Sequence, residues 1–340
     1  MIAFALVVVI LALAAQRLFL ANTLKKVSYD CRPSRNLVEP GEDFELISEI
    51  RNEKRLPELY LELSEDLPGG AVAVSQTGRK FFLLPRRRLT SRTTIHLPAR
   101  GRYLFHGAIL TGGDFFGLRT TRKRFDQLRE VVVLPPRAQS PDLQRLLGGF
   151  LGDISVSRFI LPDPVLAIGV REYTGREPRK DISWAHSARA GRLLVKNYDH
   201  TLELAVTVVL NLESSGNTSP EILERCFSLT RSVCEELERR GMKYGFLTNA
   251  VAVGALGQGN DLADGLGPSH LSAVLEWLGR SSYSWRGGLA DLLDKAARRA
   301  ERGRAAILIT PVFLTGQGRL LDRLRAATGG EVLVIVGEDL

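Results

Sequence analysis

Residues Val170–His200 read VREYTGREPRKDISWAHSARAGRLLVKNYDH, and this block decides how the rest of the chain divides. It holds seven basic residues: Arg171, Arg176, Arg179, Lys180, Arg189, Arg192 and Lys196. Tyr173, Trp184 and Tyr198 stand among them. A linker has no use for a tryptophan, and a core does not admit so many cations without partners. The block therefore either fixes two folded parts against each other or meets an acidic partner. Forked arginine–carboxylate pairing would serve the first purpose, with Asp153, Glu172, Glu177 and Asp181 at hand. Tyr173 and Trp184 would serve the second, because Trp, Tyr and Arg are the residues most enriched at binding hot spots. Asp181 is expected to cap a short helix through Ala188, with Gly191 in the left-handed position that closes it. Leu193–Tyr198 then reads as a strand.

Downstream of the block, strands alternate with helices. Leu204–Leu210, Tyr244–Thr248, Ala305–Thr310 and Glu331–Val336 are apolar strand candidates. Between them, Ser219-Pro220 opens a helix with Ile222, Cys226, Leu229, Val233 and Leu237 on one stripe, ended by Gly241. Further helices are expected from Ser269 to Leu278, from about Gly288 to Arg302 and from Gly318 to Ala327. This order favours a parallel sheet with helices on both faces.

Upstream, from Val27 to about Arg137, short strand candidates follow one another without helices, separated by Pro40-Gly41, Pro68-Gly69-Gly70 and Gly112-Gly113. That spacing suggests a β-sandwich of immunoglobulin-like type. Arg86-Arg87-Arg88 and the run Arg119–Arg124 read as solvated loops or as contacts to anionic lipid headgroups. No nucleic-acid motif accompanies the charge, so nucleic acid is not expected as a partner. Pro135–Val165 reads as a linker with a short helix around Leu143–Leu147.

The first residues are apolar without interruption from Ile2 to Ala15, and Leu18–Ala21 continue the run. About twenty such residues at 1.5 Å each would cross a bilayer core. No positive charge precedes the run, whereas Arg17, Lys25 and Lys26 follow it, which favours a retained anchor over a cleaved leader. Charge agrees with that placement. Residues 1–200 hold 31 Lys and Arg against 21 Asp and Glu, a balance of +10, while residues 201–340 stand at −2. The expectation is a single-pass membrane protein with its C-terminal portion in the cytoplasm and its basic half near membrane lipids.

Several patterns in the chain resemble one family. In the central block these are Arg171-Glu172-Tyr173, Pro178-Arg179, Ile182, Trp184, Ser187-Ala188-Arg189, Leu193, Val195 and Lys196. Upstream they are Pro40-Gly41-Glu42, Asn52, Pro57, Leu67-Pro68, Arg100-Gly101-Arg102-Tyr103 and Asp114-Phe115-Phe116-Gly117-Leu118. Together they resemble domain-of-unknown-function family fifty-eight. Phe115 stands where that family has proline, and Gly175-Arg176-Glu177 replaces its Y-x-x-G-D turn. The resemblance implies a von Willebrand factor A-like C-terminal domain and a MoxR-type AAA+ ATPase as partner. It also implies a partner-binding or interdomain role for Arg171, Glu172, Tyr173, Arg179, Trp184, Ser187, Arg189 and Lys196. Domains of that type often hold a divalent cation through D-x-S-x-S after the first strand. Here the aligned stretch is Asn211-Leu212-Glu213-Ser214-Ser215, so Asn211, Glu213, Ser215 and Thr310 are a degenerate candidate set for a hard, oxygen-seeking cation.

No catalytic constellation stands out. The five histidines are scattered, there is no Walker loop or G-x-S-x-G, and the three cysteines have no metal-ligand spacing. The expected architecture is an α+β multidomain chain. It would have a transmembrane helix over 1–22, a β-sandwich over 27–137, a linker and signature over 138–200, and a von Willebrand A-like α/β domain over 201–340. The expected function is an adaptor without catalysis or cofactor of its own. A cation-dependent adhesion or sensing module and an unrecognised hydrolase are the alternatives.

Overall fold

Period-two burial builds the first of two units. The computed structural model describes residues 22–74, 78–113, 119–160, 167–175, 178–198, 205–214, 218–254, 261–299, 304–313, 317–328 and 332–339, with isolated positions between 4 and 17. The first unit comprises Met1–Pro136 with Glu276–Arg280. Its strands are β1 (Val27–Pro33), β2 (Leu37–Val38), β3 (Asp43–Asn52), β4 (Glu58–Glu65), β5 (Val72–Ala73), β6 (Arg79–Leu83), β7 (Arg88–His96), β8 (Gly101–Gly113) and β9 (Thr120–Val133). Along β3, Phe44, Leu46, Ser48, Ile50 and Asn52 are buried and the residues between them are not. The strands form two sheets, ordered β1-β3-β7-β5 and β2-β9-β8-β4-β6. Both contribute to one core that includes Tyr29, Phe44, Leu46, Ile50, Leu61, Ile95, Phe105, Leu110 and Val131. Each large apolar side chain buried there contributes about 1.5–3 kcal/mol. The module is a β-sandwich. Gly107 sits at an irregularity in the β8–β9 pairing with φ of +111°, where a Cβ would lie 2.0 Å from the Phe125 carbonyl oxygen.

The second unit comprises Arg137–Leu275 with Ser281–Leu340. It begins with helix α1 (Pro141–Ile160), then strand β10 (Ala167–Glu172), a 3₁₀ turn (Arg179–Asp181), helix α2 (Trp184–Ala190) and strand β11 (Leu194–Tyr198). There follow β12 (Ala205–Leu210), α3 (Pro220–Arg239), β13 (Lys243–Thr248), β14 (Ala250–Ala252), β15 (Asp261–Gly265), α4 (Pro268–Arg280, its residues Glu276–Arg280 being those counted with the first unit), β16 (Ser281–Trp285), α5 (Leu289–Arg299), β17 (Ala305–Thr310), α6 (Gly318–Thr328) and β18 (Val332–Val336). The main sheet is ordered β15-β13-β12-β17-β18. All its pairings are parallel except that of the edge strand β15 with β13. Strands β12 and β17 are almost wholly buried, as their mostly apolar sequences require. Helices α5 and α6 cover one face through Leu289, Leu292, Leu293, Leu321 and Leu324, against Val209, Leu247 and Leu308. Helix α3 packs on the sheet through its buried stripe of Cys226, Phe227, Val233, Cys234 and Leu237. Gly241, at φ of +67°, ends the turn after it.

The expected lead-in helix requires correction. Among the described residues, no helix is long and apolar enough to cross a membrane. A span needs about twenty apolar residues in one continuous helix. Only scattered positions of the 1–21 run are described, and by Thr23 and Leu24 the chain is already buried in the sandwich. The single-pass placement with a cytoplasmic C-terminal portion rested on that helix and falls with it. Among the described residues strand exceeds helix, at 42% against 32%. Part of the excess is β9. Of the Arg119–Arg124 run, expected as solvated loop or lipid contact, Arg122, Lys123 and Arg124 lie in a fourteen-residue strand paired along β8. Helix α1 is likewise longer than the short helix expected, at twenty residues. Gly148, Gly149 and Gly152 cost it about 1 kcal/mol each. Burial of Leu143, Leu147, Leu151 and Ile154 at helical spacing offsets this.

Candidate functional site

The Val170–His200 block folds back on itself. Strands β10 and β11 pair antiparallel, with Val170 opposite Lys196 and Glu172 opposite Leu194. The 3₁₀ turn and α2 fill the connection between them. Ser183 donates its N–H to the Leu194 carbonyl at 2.8 Å, and Ile182 bridges to Val195. Ser187 is buried and acts as a pin. Its hydroxyl accepts the Leu194 N–H at 2.9 Å and donates back to the Leu194 carbonyl at 3.3 Å. Gly191, at φ of +65°, ends α2. The helix starts differently from expectation. Asp181 closes the preceding 3₁₀ turn, and Ser183 is the residue before the first helical position.

These contacts sort the expected interaction residues. Arg171, Glu172, Tyr173 and Lys196 are held on the hairpin, Arg179 on the 3₁₀ turn, and Trp184, Ser187 and Arg189 on α2. Ser187 is committed to holding the helix on the hairpin. Glu172 pairs with Arg192. Tyr173 is half-buried and its N–H binds the Leu193 carbonyl at 3.0 Å. Arg171, Arg179, Arg189 and Lys196 are exposed. Trp184 is 66% exposed, with Leu193 and Val170 also uncovered nearby in the sequence of the block. Arg176, Glu177, Asp199 and His200 lie outside the described residues, as does the Asp114–Leu118 element of the resemblance.

One pair in the block was missed from sequence. Ser183 Oγ and His186 Nδ1 are 3.0 Å apart. Their i, i+3 spacing at a helix start was the available signal. Ser183 is buried, and His186 Nε2 has no orienting partner among the described residues, so the pair lacks the third member of a hydrolytic triad. The thiols are no better placed as nucleophiles. Cys31, Cys226 and Cys234 are free and buried. Burial raises all three, with Cys226 pushed up to about 12. At neutral pH such thiols stay protonated and inert.

The candidate cation residues meet at the carboxyl ends of β12, β13 and β17, the edge where open α/β sheets usually receive ligands. Asn211 Nδ2 donates to Thr310 Oγ1 at 3.0 Å. Asn211 Oδ1 accepts from Asn249 Nδ2 at 2.7 Å and from the Glu213 N–H at 3.1 Å. Asn249 Oδ1 accepts the Leu212 N–H at 2.8 Å, and Thr310 Oγ1 donates to the Val312 carbonyl at 3.0 Å. Asn211, Asn249 and Thr310 are all buried. Glu213 is exposed, and its Oε2 accepts the Leu289 N–H at 2.5 Å, so it caps α5. Ser215 lies outside the described residues. The set does not fit a hard cation. Its one anionic group serves a helix end, and its neutral oxygens are turned on one another. Among the described residues there is also no group of three or more His, Cys, Asp or Glu able to hold a metal. Asn249 was missed from sequence, although Leu210-Asn211 and Thr248-Asn249 are the same dipeptide position on adjacent strands, as the Leu210–Thr248 register shows.

No family model and no curated protein matches the chain. Among solved structures it is similar to native alpha-2-macroglobulin from Escherichia coli, spanning domain MG7 to the C-terminus. The identity is 18% over 33% of this chain and 17% of that one, with a TM-score of 0.28. It is similar to the CARDB domain of a Pyrococcus furiosus protein at 10% identity over 32% of this chain and 91% of that one, TM-score 0.24. The cupredoxin domain of amoB from Nitrosocaldus yellowstonii gives 10% identity over 33% of this chain and 88% of that one, TM-score 0.24. Each likeness is confined to about a third of this chain, and the chain spans less than a fifth of the macroglobulin structure.

Proposed function

We propose that this chain is a protein-interaction or adaptor protein that docks an acidic surface of a partner on the α2 face of the Val170–His200 block. The observation that carries the reading is Trp184. It is 66% exposed on a helix that Ser187, Ile182 and Ser183 pin to the hairpin. A large aromatic with few side-chain torsions on a pinned helix loses little conformational entropy on binding, which is the economy of a hot-spot anchor. Arg179, Lys180 and Arg189 surround it in sequence and are exposed, which suits a partner of negative charge. The motif resemblance to domain-of-unknown-function family fifty-eight supplies the partner class, a MoxR-type AAA+ ATPase. The parallel sheet with helices would then be its von Willebrand A-like domain. Catalysis is assigned to the partner, not to this chain.

The test is a binding assay with a purified MoxR-type ATPase, with and without ATP, using the full chain and its Trp184→Ala and Arg189→Ala variants. Truncation of a true anchor weakens binding by about 2 kcal/mol or more, some thirtyfold. Binding that is absent in every nucleotide state, or that is indifferent to both substitutions, would sink the proposal.

A further inference from the structure

At one end of the sandwich, four arginines surround an open cavity. Arg51, Asn52, Glu53, Arg86, Arg87 and Arg88 line it, and its volume is about 750 Å³. The volume falls within the range of small-molecule sites. Asn52 organises the floor. It is buried, and its Nδ2 donates to the carbonyls of Leu56, Leu83 and Leu84 at 2.9, 3.4 and 3.2 Å. The Arg86 N–H binds the Lys54 carbonyl at 3.2 Å and the Asn52 N–H binds the Arg87 carbonyl at 2.9 Å. These bonds tie the β3–β4 and β6–β7 connections into one wall.

Two features of this wall work against stability. Arg51 and Arg88 are directly opposite in the β3–β7 ladder, and like charges in that relation repel. Arg86 has φ of +52°, a left-handed conformation that a residue with a Cβ adopts at a cost. Acidic side chains do little to offset the charge. Arg51 is paired with Glu49, and Glu53 is the one acid on the lining. The guanidinium groups of Arg86, Arg87 and Arg88 have no carboxylate partner among the described residues, and all three are exposed. Unpaired, crowded and strained arginines on a bonded frame are what a ligand of the opposite charge would stabilise. The planar fork of arginine matches phosphate oxygens two at a time.

We propose that this arginine bowl binds a phosphate-bearing ligand, either a free polyphosphate or the headgroup of an anionic phospholipid. The experiment uses the full chain in two arms. Calorimetry follows pyrophosphate and inositol hexakisphosphate, and co-sedimentation follows vesicles of phosphatidylcholine with and without phosphatidylserine. Dextran sulfate serves as a charged control. Variants are Arg86→Gly, which removes a cation and suits the left-handed backbone, and Arg87→Ala with Arg88→Thr. Saturable binding in the soluble arm, at least tenfold weaker in both variants, supports the proposal and assigns a free phosphate. The same loss seen only with phosphatidylserine vesicles supports it and assigns the headgroup. Arg86→Gly and the double variant are expected to melt no lower than the parent, which separates lost binding from lost folding. Absence of binding in both arms, binding unchanged by the substitutions, or equal binding of the polysulfate would overturn it.

Discussion

The two units treat the polar ends of their sheets in opposite ways. Where β12, β13 and β17 of the α/β unit end, Asn211, Asn249 and Thr310 are buried and bonded to one another without charge. At the end of the sandwich where β3 stops and β7 starts, cations gather in the open, and three of them have no carboxylate partner among the described residues. The first arrangement spends its hydrogen bonds on holding loops in place. The second keeps its donors available. The contrast teaches that the carboxyl edge of a parallel sheet, the usual place to look for a ligand, is closed by its own side chains here.

The contrast is sharpest within the basic end itself, because one of its cations is structural. Lys54 Nζ donates to the Asn22 carbonyl at 2.7 Å and pairs with Glu58. Glu58 is fully buried, and its Oε1 also accepts the Leu24 N–H at 2.9 Å. Removing the cation leaves a buried carboxylate without its counter-ion, which typically costs about 3–5 kcal/mol. Lys54→Met is therefore expected to lower stability in a urea titration by that amount, and Lys54→Met with Glu58→Leu to regain most of it. If Lys54→Met were neutral, Lys54 would belong with the exposed arginines, and the division drawn within this end would fail.

The uncharged network should break with a smaller effect. Asn249→Ala removes the acceptor of the Leu212 N–H and one donor to Asn211 Oδ1. A buried polar group left unsatisfied costs about 1–3 kcal/mol, and no charge is stranded. A loss of about 2–3 kcal/mol in the same titration is expected, with faster hydrogen exchange at Leu212. A larger loss than that of Lys54→Met would reverse the ranking of the two ends.

How much of this was legible follows the same physics. Strands β12 and β17 and the stripe of α3 were readable because burial on two faces or one leaves a pattern in the residues themselves. The alternation of β3 was readable for the same reason. Strand β9 was not read as a long strand, because its outward positions are arginines and lysines and a run of cations looks like a loop. Helix α1 was obscured by its three glycines, whose local cost is outweighed by tertiary burial that sequence does not display. The apolar run at the start was overread, since composition alone does not specify a continuous spanning helix. At the sites, Trp184 and the arginines could be singled out by residue type. Their sorting into pins, pairs and exposed groups could not, because it depends on partners such as Leu194 and Arg192 brought in by the β10–β11 register.

The smallest expected effect bears most directly on the comparison. Arg88 faces Arg51 across the β3–β7 ladder, and both side chains are exposed. Cross-strand pairs contribute roughly 0.2–1 kcal/mol, with the sign reversed for like charges. Arg88→Thr removes the repulsion and places a β-branched residue where strands favour one. In the free protein it should stabilise this end of the sheet by about 0.5 kcal/mol, read as slower hydrogen exchange at the Arg51 and Leu89 amides. The gain should shrink as salt is raised, because salt weakens the interaction between solvent-exposed charges. Slower exchange on losing a charged side chain would mean that Arg88 is retained against the interest of the fold, as the open arrangement requires. Faster exchange would mean that Arg88 supports the sheet as Asn249 supports its loops, and the distinction between the two ends would vanish.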